Sequence, residues 1–276
     1  MKLIESSVQI IKEKDPYKMI ELAGRTCYKS EDKITEDSAK KFVDRMIKLG
    51  HGAMLEHGTI YLKIRETVNG NVPPAMLYWR DPANQKYSKV VKYNGELYVT
   101  TNMRVLVENN RMDDLQYLVE PTEHHEKRIT AKFICDRGVS HEFVRHRVFS
   151  FAQESTRYCN YSKDKFNNEL TLIKPSWIEE SIDSLNQEFR DTDRDDTSIF
   201  IRALRSAEEE YFTLLNNGWK PQQARQVLPN ATKTELVMTG FESDWEHFLS
   251  LRTSKNAHPD AQQLSLKLRE LLYDEK

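Results

Sequence analysis

The chain lacks most of the features that would make it secreted, metal-stapled or membrane-bound. Its 276 residues hold three cysteines, Cys27, Cys135 and Cys159, an odd set with no CxxC pair. Such usage suits a reducing compartment and gives no support to a disulfide framework or a zinc site. No apolar run approaches a membrane span. The opening MKLIESSVQIIKEKD is too short and interrupted in its apolar part for a signal peptide, so a cytoplasmic protein is expected. There is no GxxxxGK, and no GxGxxG follows a strand, which leaves triphosphate-loop and Rossmann sites unsupported. The formal net charge is only −2. Bulk electrostatics therefore attracts neither nucleic acid nor anionic lipid, and any grip on phosphate must come from a local cluster.

Glycine and proline number nine each, and no Pro/Gly-rich linker, repeat or low-complexity tract divides the chain. One domain over residues 1–276 is expected, with inserted segments near 67–125 and 160–197. Helical periodicity runs through DPYKMIELAGRTCYKS from Asp15. It recurs in TEDSAKKFVDRMIKLG, which sets Val43, Met46 and Ile47 on one face, with a cap at Thr35 and a stop at Gly50. A longer helix aligns Phe200, Leu204, Ala207, Tyr211, Leu214 and Leu215 before Asn217-Gly218. TIYLKI, ITAKFIC and TELVMTG read as strands, and KVVKYNGELYV as a hairpin about Asn94-Gly95. The pattern is α+β: several long helices with a mixed or antiparallel sheet, and no regular strand–helix alternation.

What the chain does have is a crowded stretch, RHRVFSFAQESTRY, over residues 145–158. Charge clusters are usually solvated, and this one reads equally as a helix end and loop. Yet Arg145, Arg147 and Arg157 offer planar forks for phosphate or carboxylate, Gln153, Ser155 and Thr156 offer neutral donors, and the aromatics offer flat faces. A phosphorylated heterocycle uses all three. Ser140 is placed to cap a helix running through HEFVRHR. The two histidines of that segment are five apart, roughly 140° around a helix, so they do not share a metal and no metal site is expected.

GHGAMLEHG, residues 50–58, is either a loop with two surface histidines or a ligand-facing turn where glycine lets backbone approach closely. In SDWEHFLSLRTS, Ser243 and Glu246 form a capping-box pattern, and Trp245, Phe248 and Leu249 define a buried stripe. Arg252 falls on that stripe. A guanidinium there needs an internal ion pair, an escape to solvent, or a ligand.

At these residues the chain resembles the flavin-dependent thymidylate synthases, whose signature RHRxxSxxxxSxRY is met at every fixed position. RTCY at residues 25–28, GHxxxLEH at 50–57, ARxxLPNATxTE at 224–235 and WxHFLxLR ending at Arg252 match in order. The resemblance implies conversion of dUMP to dTMP, with 5,10-methylenetetrahydrofolate as carbon donor and NADPH as reductant through FAD. It also implies a homotetramer with sites at subunit contacts. By position, dUMP would be met by Glu142, Arg145, Gln153, Glu154, Ser155, Thr156, Arg157, Arg225 and Arg252, with Arg252 catalytic. FAD would be met by His51, Ala53, Arg145, His146, Arg147, Gln153, Phe241, Ser243 and His247. Four of these depart from the family pattern: Glu142 replaces a glutamine, Ala53 a hydroxyl residue, Phe241 an asparagine and Ser243 an arginine. Two rivals remain: a basic-aromatic module for single-stranded nucleic acid, and a thymidylate synthase that attacks through a cysteine.

Overall fold

The computed structural model describes residues 1–67, 71, 79, 87–187 and 194–273. Most of the NGNVPPAMLYWRDPANQK stretch lies outside the described residues. Two short strands, β1 (Lys2–Ile4) and β2 (Ser7–Ile11), lead into helix α1 (Pro16–Tyr28). Asp15 caps that helix by accepting from the N–H groups of Tyr17 and Lys18, and Pro16 sits in the first turn, where no N–H is missed. Helix α2 (Ser38–Lys48) follows. It starts three residues beyond the expected cap: the Thr35 N–H donates to Ser38 Oγ, which uses Thr35 in the approach turn instead. Val43 and Met46 are buried as the pattern requires, and Gly50 ends the run at φ +67°.

One turn, α3 (Gly52–Leu55), then feeds β3 (Thr59–Arg65), β4 (Lys89–Tyr93) and β5 (Glu96–Asn102). Asn94 and Gly95 both take positive φ, 48° and 72°, the two left-handed residues that an Asn-Gly hairpin turn demands. The three strands form an antiparallel sheet in the order β3-β5-β4. A short helix, α4 (Met103–Glu108), closes it. Ile60, Leu62, Ile64, Leu97 and Val99 from this sheet share one core with Ile20, Val43, Met46 and Leu55.

The second sheet is antiparallel, in the order β2-β6-β9-β7, built from β6 (Arg128–Asp136), β7 (Ser150–Gln153) and β9 (Lys233–Phe241). Helix α5 (Arg137–Phe143) follows β6 directly. Beyond β7 come β8 (Thr171–Ile173), which pairs in parallel with β1, then α6 (Ile182–Gln187), α7 (Asp196–Asn216) and α8 (Pro221–Ala224). Helices α9 (Glu242–Arg252) and α10 (Pro259–Tyr273) complete the chain. The fold is α+β, with antiparallel sheets and long helices, as the sequence pattern indicates.

Two-residue alternation sends opposite faces of the second sheet to different covers. Ala131, Phe133, Leu236 and Met238 meet Trp245, Phe248 and Leu249 of α9 and Leu264 and Leu268 of α10. Val237 and Ala152 meet Met19 and Ala23 of α1 on the other side. Each buried Phe or Leu is worth roughly 1.5–3 kcal/mol of transfer free energy, so packing rather than propensity fixes α9. Gly240 is required for this layer: a Cβ there would lie 2.4 Å from the Phe149 ring.

Candidate active site

Helix α5 is capped by Asp136, whose carboxylate accepts from the Val139 N–H at 2.8 Å. Ser140 is therefore inside the helix and not at its start. Its hydroxyl donates to Arg137 O and accepts from Gln153 Nε2, both at 2.8 Å. The helix stops at Phe143, so Arg145, His146 and Arg147 stand in the tight turn after it rather than on its surface. Asp136, four residues before Ser140, takes the capping role that the sequence pattern assigned to Ser140.

That turn faces the end of α9. Arg252 Nη1 donates to Glu142 Oε2 at 2.8 Å, Nη2 to the Glu142 carbonyl at 2.6 Å, and Nε to His146 Nε2 at 2.9 Å. A guanidinium has five N–H groups and accepts nothing. Three are thus spent on holding the side chain, and two remain on a group that is 15% exposed. Because Arg252 is the donor, His146 must be neutral with its proton on Nδ1. Burial, then Arg252 and nearby His247, push the His146 pKa down to about 4, which keeps it so at neutral pH. Glu142 Oε1 lies 3.2 Å from Arg145 Nη1, and its carboxyl is held below the usual range chiefly by the Arg252 bond. Arg145 itself is 69% exposed, and Arg147 and His247 are exposed beside it.

Segment 153–158 lies next to the C-terminal end of α1. The Ser155 N–H donates to Cys27 O at 3.0 Å, and the Glu154 N–H to Glu235 O at 2.8 Å. Thr156 Oγ1 takes a 3.4 Å bond from Arg225 Nη1, and Arg157 projects outward over the Tyr158 ring, 4.9 Å from its centroid. Tyr158 in turn leans on Tyr28. Gln153 spends its amide nitrogen on Ser140 and Thr234, so only its carbonyl oxygen remains for a ligand. Glu154 turns inward: its carboxylate is buried, bonded by Lys233 Nζ at 2.8 Å and Tyr161 at 3.4 Å. Its side chain braces the segment instead of facing out with Arg157. Lys233 also reaches Glu235, which takes Lys29 and Lys132 as well. Glu154 was expected to meet dUMP and instead faces inward; Lys29, Lys132, Lys233 and Glu235 were not sequence candidates. A signal existed, since Lys233 and Glu235 share a strand face and Lys132 lies diagonally across the ladder.

Among the described residues, no hydrogen bond or ion pair joins Arg157 or Arg225 to Arg252; the Gln153–Ser140 bond ties the two groups together. His51 and Ala53 are exposed at the start of α3, whose Met54 sulfur lies 3.8 Å from Cys27 Sγ. Phe241 is buried, with Lys89 and Arg128 each about a ring-stacking distance from it, at 5.3 and 5.6 Å. Ser243 is not a helix cap: it lies inside the first turn of α9, and its hydroxyl bonds Glu126. For FAD, the exposed Arg145 and Arg147 with His51 and His247 fit a phosphate-bearing cofactor, whereas Phe241 and Ser243 are already committed to protein contacts. The cysteines offer no thiolate. Burial raises the Cys27 and Cys159 pKa values to about 11 and 12, and Cys135 further still.

The model of the family described as thymidylate synthase complementing protein matches residues 9–68 and 116–275. A flavin-dependent thymidylate synthase of Corynebacterium aurimucosum is 26% identical over 262 residues, covering 93% of this chain and 76% of that protein. Another, of Corynebacterium efficiens, is 37% identical over 125 residues, 44% of this chain and 47% of that one. Among solved structures, a UMP/dUMP methylase of Streptomyces cacaoi bound with 5-Br dUMP aligns at a TM-score of 0.46 and 17% identity, over 99% of this chain and 93% of the other. The family match takes in both the arginine–histidine turn and the distal arginine helix, and the chain belongs to the thymidylate synthase complementing proteins, the flavin-dependent thymidylate synthases.

Proposed function

We propose that the protein converts dUMP to dTMP, using 5,10-methylenetetrahydrofolate as carbon donor and NADPH as reductant, with FAD as cofactor and no protein nucleophile. In balance, dUMP, methylenetetrahydrofolate, NADPH and a proton give dTMP, tetrahydrofolate and NADP⁺. The observation that carries this reading is Arg252, a largely buried guanidinium held at a helix end by three bonds with two donors to spare.

A cation fixed in advance costs nothing to reorient when charge develops, which is where electrostatic catalysis gains most. The two free N–H groups of Arg252 suit a pyrimidine carbonyl as its ring takes on negative charge. Glu142 and His146 are positioning residues for that fork. Arg157 and Arg225 supply charge for the nucleotide phosphate, and Ser155, Thr156 and the Gln153 carbonyl orient the rest. Those residues belong to a different patch of the chain from Arg252, which fits a homotetramer whose sites combine patches from neighbouring subunits. FAD would be held by Arg145, Arg147, His51 and His247, with His146, Ala53 and Gln153 beside it; when bound it supplies the reduction of the transferred carbon. The raised thiol pKa values favour this scheme over cysteine attack on the ring.

The test is direct. Purified protein should carry, or take up, a chromophore with flavin absorption that bleaches anaerobically with NADPH, and should form dTMP only when dUMP and methylenetetrahydrofolate are both present. Formation of dTMP by a flavin-free preparation would sink the proposal.

A further inference from the structure

A cavity of about 890 Å³ opens between the turn from β2 into α1, the start of β3, residues 118–121 and the start of β6. None of the residues proposed above to hold nucleotide or flavin lines it. Its volume falls in the range of small-molecule sites. The cavity lies at the N-terminal end of α1, where Pro16 and Met19 face it, while Cys27 at the other end of that helix holds Ser155. At a rise of about 1.5 Å per residue, the two ends are roughly 16 Å apart.

Arg128 lines the cavity and is the unusual group there. Its Nη1 donates to Glu56 O at 2.9 Å and Thr59 Oγ1 at 3.3 Å, and Nη2 to Ser150 Oγ at 3.2 Å. All three acceptors are neutral. Nε is buried with no partner, and among the described residues no carboxylate stands within ion-pair distance. Two of five N–H groups are left over. Burial draws its pKa down to about 10 while Tyr61, Glu56 and Asp244 pull it the other way, so it stays a cation at neutral pH; its charge is met only at a distance and by the Phe241 ring, which leaves its burial costly. The neighbouring His57 adds no charge. It is fully buried, with Nδ1 on Thr239 Oγ1 at 2.8 Å, and burial and Arg128 hold its pKa near 3. The walls are mixed: Ile11, Met19 and Val119 form an apolar side, Lys12, Lys14, Glu13, Asp15 and Glu120 a charged one, and Leu118, 47% exposed, stands at the rim.

We infer that this cavity is a second ligand site, for a small amphipathic anion whose carboxylate sits on Arg128 and whose flat apolar body packs against Met19, Leu118 and Val119. The inference does not depend on the reaction proposed above. It accounts for a guanidinium without a carboxylate partner, the apolar side of the walls and the exposed leucine together, since a carboxylate would take the Nη2 N–H left over and the ring would cover Leu118.

Isothermal titration of the full chain with 2-naphthoate, and with the isosteric neutral 2-naphthamide, tests this. The expected result is one saturable site per chain for 2-naphthoate, with the amide at least about tenfold weaker, the gain of a charge-assisted bond. Arg128→Met should remove binding. Leu118→Glu, at an exposed position that cannot disturb the core, should weaken it by about tenfold through like-charge repulsion, and decides the matter where Arg128→Met does not fold. Excess dUMP should leave 2-naphthoate binding unchanged. Equal affinity for acid and amide, unchanged affinity in Leu118→Glu, displacement by dUMP, or no binding because a second copy of the chain covers the cavity would each overturn the assignment.

Discussion

Glu142 Oε2 accepts from Arg252 at 2.8 Å while its Oε1 lies 3.2 Å from Arg145, so a single carboxylate is shared by the cation that opens the 145–158 stretch and the one that ends α9. It orients Arg252 and at the same time cancels one charge that a nucleotide would meet. The two effects separate by substitution. Glu142→Gln keeps an acceptor for Arg252 but removes the charge, and should tighten dUMP by roughly two- to fivefold, as befits a partly exposed ion pair. Glu142→Ala should instead lower kcat with little change in KM. Calorimetric dUMP affinity and steady-state kinetics on both variants check this; weaker dUMP binding in Glu142→Gln would remove the electrostatic part.

Arg252→Ala should reduce dTMP formation by about a hundredfold or more, the usual size of losing a preorganised donor. Arg252→Lys should recover little, because a lysine cannot reach Glu142 and His146 at once with a free donor remaining. Near-UV circular dichroism and flavin content should stay close to wild type in both. Wild-type turnover in either variant would take Arg252 out of the reaction.

Replacing Cys27, Cys135 and Cys159 together by alanine should leave turnover within about threefold of wild type. Stability should fall, since Cys135 and Cys159 are buried and each leaves a small cavity. Loss of activity traced to one thiol, with flavin still bound, would point to cysteine attack instead.

Glu235 is the acid of the buried charge cluster. Burial alone would raise its pKa, yet Lys233, Lys132 and Lys29 override that and hold it well below the usual carboxylate range. A depressed carboxylate stabilises the fold above its unfolded pKa of about 4.3, and that stability drains away as pH falls below it. Glu235→Gln should therefore cost about 3–5 kcal/mol at pH 7, because the lysines lose their counter-charge. The gap from wild type should narrow at pH 3.5. Urea unfolding at the two pH values checks this; an equal gap at both would exclude an ionic origin.

Much of this was legible in the sequence where one local force dominates. The Asn94-Gly95 turn, the alternation in β6 and β9, and the Asp15-Pro16 helix start all depend on residues a few positions apart. Failures arise where two local signals compete or where the deciding partner is distant. Ser140 and Asp136 are both good caps, and only the path of β6 into α5 selects the acid. Ser243 fits a capping box, but Phe241 already ends β9 at the point where the helix begins. For Arg252 the stripe exposed the problem without its answer. An internal ion pair and a ligand both satisfied the chemistry, and the structure supplies the pair while leaving donors over. Glu154 sits between half-buried polar neighbours, and nothing near it in the chain announces Lys233.

The hairpin around Asn94-Gly95 has no hydrophobic interior of its own: its strands lay Leu97 and Val99 into the same packing as Val43, Met46 and Leu55, next to the turn that carries His51. Excising residues 89–117 would not trim an ornament but strip the roof from Ile60, Leu62 and Ile64. Any shorter descendant of this chain must re-cover those side chains before it can hold α3 in place.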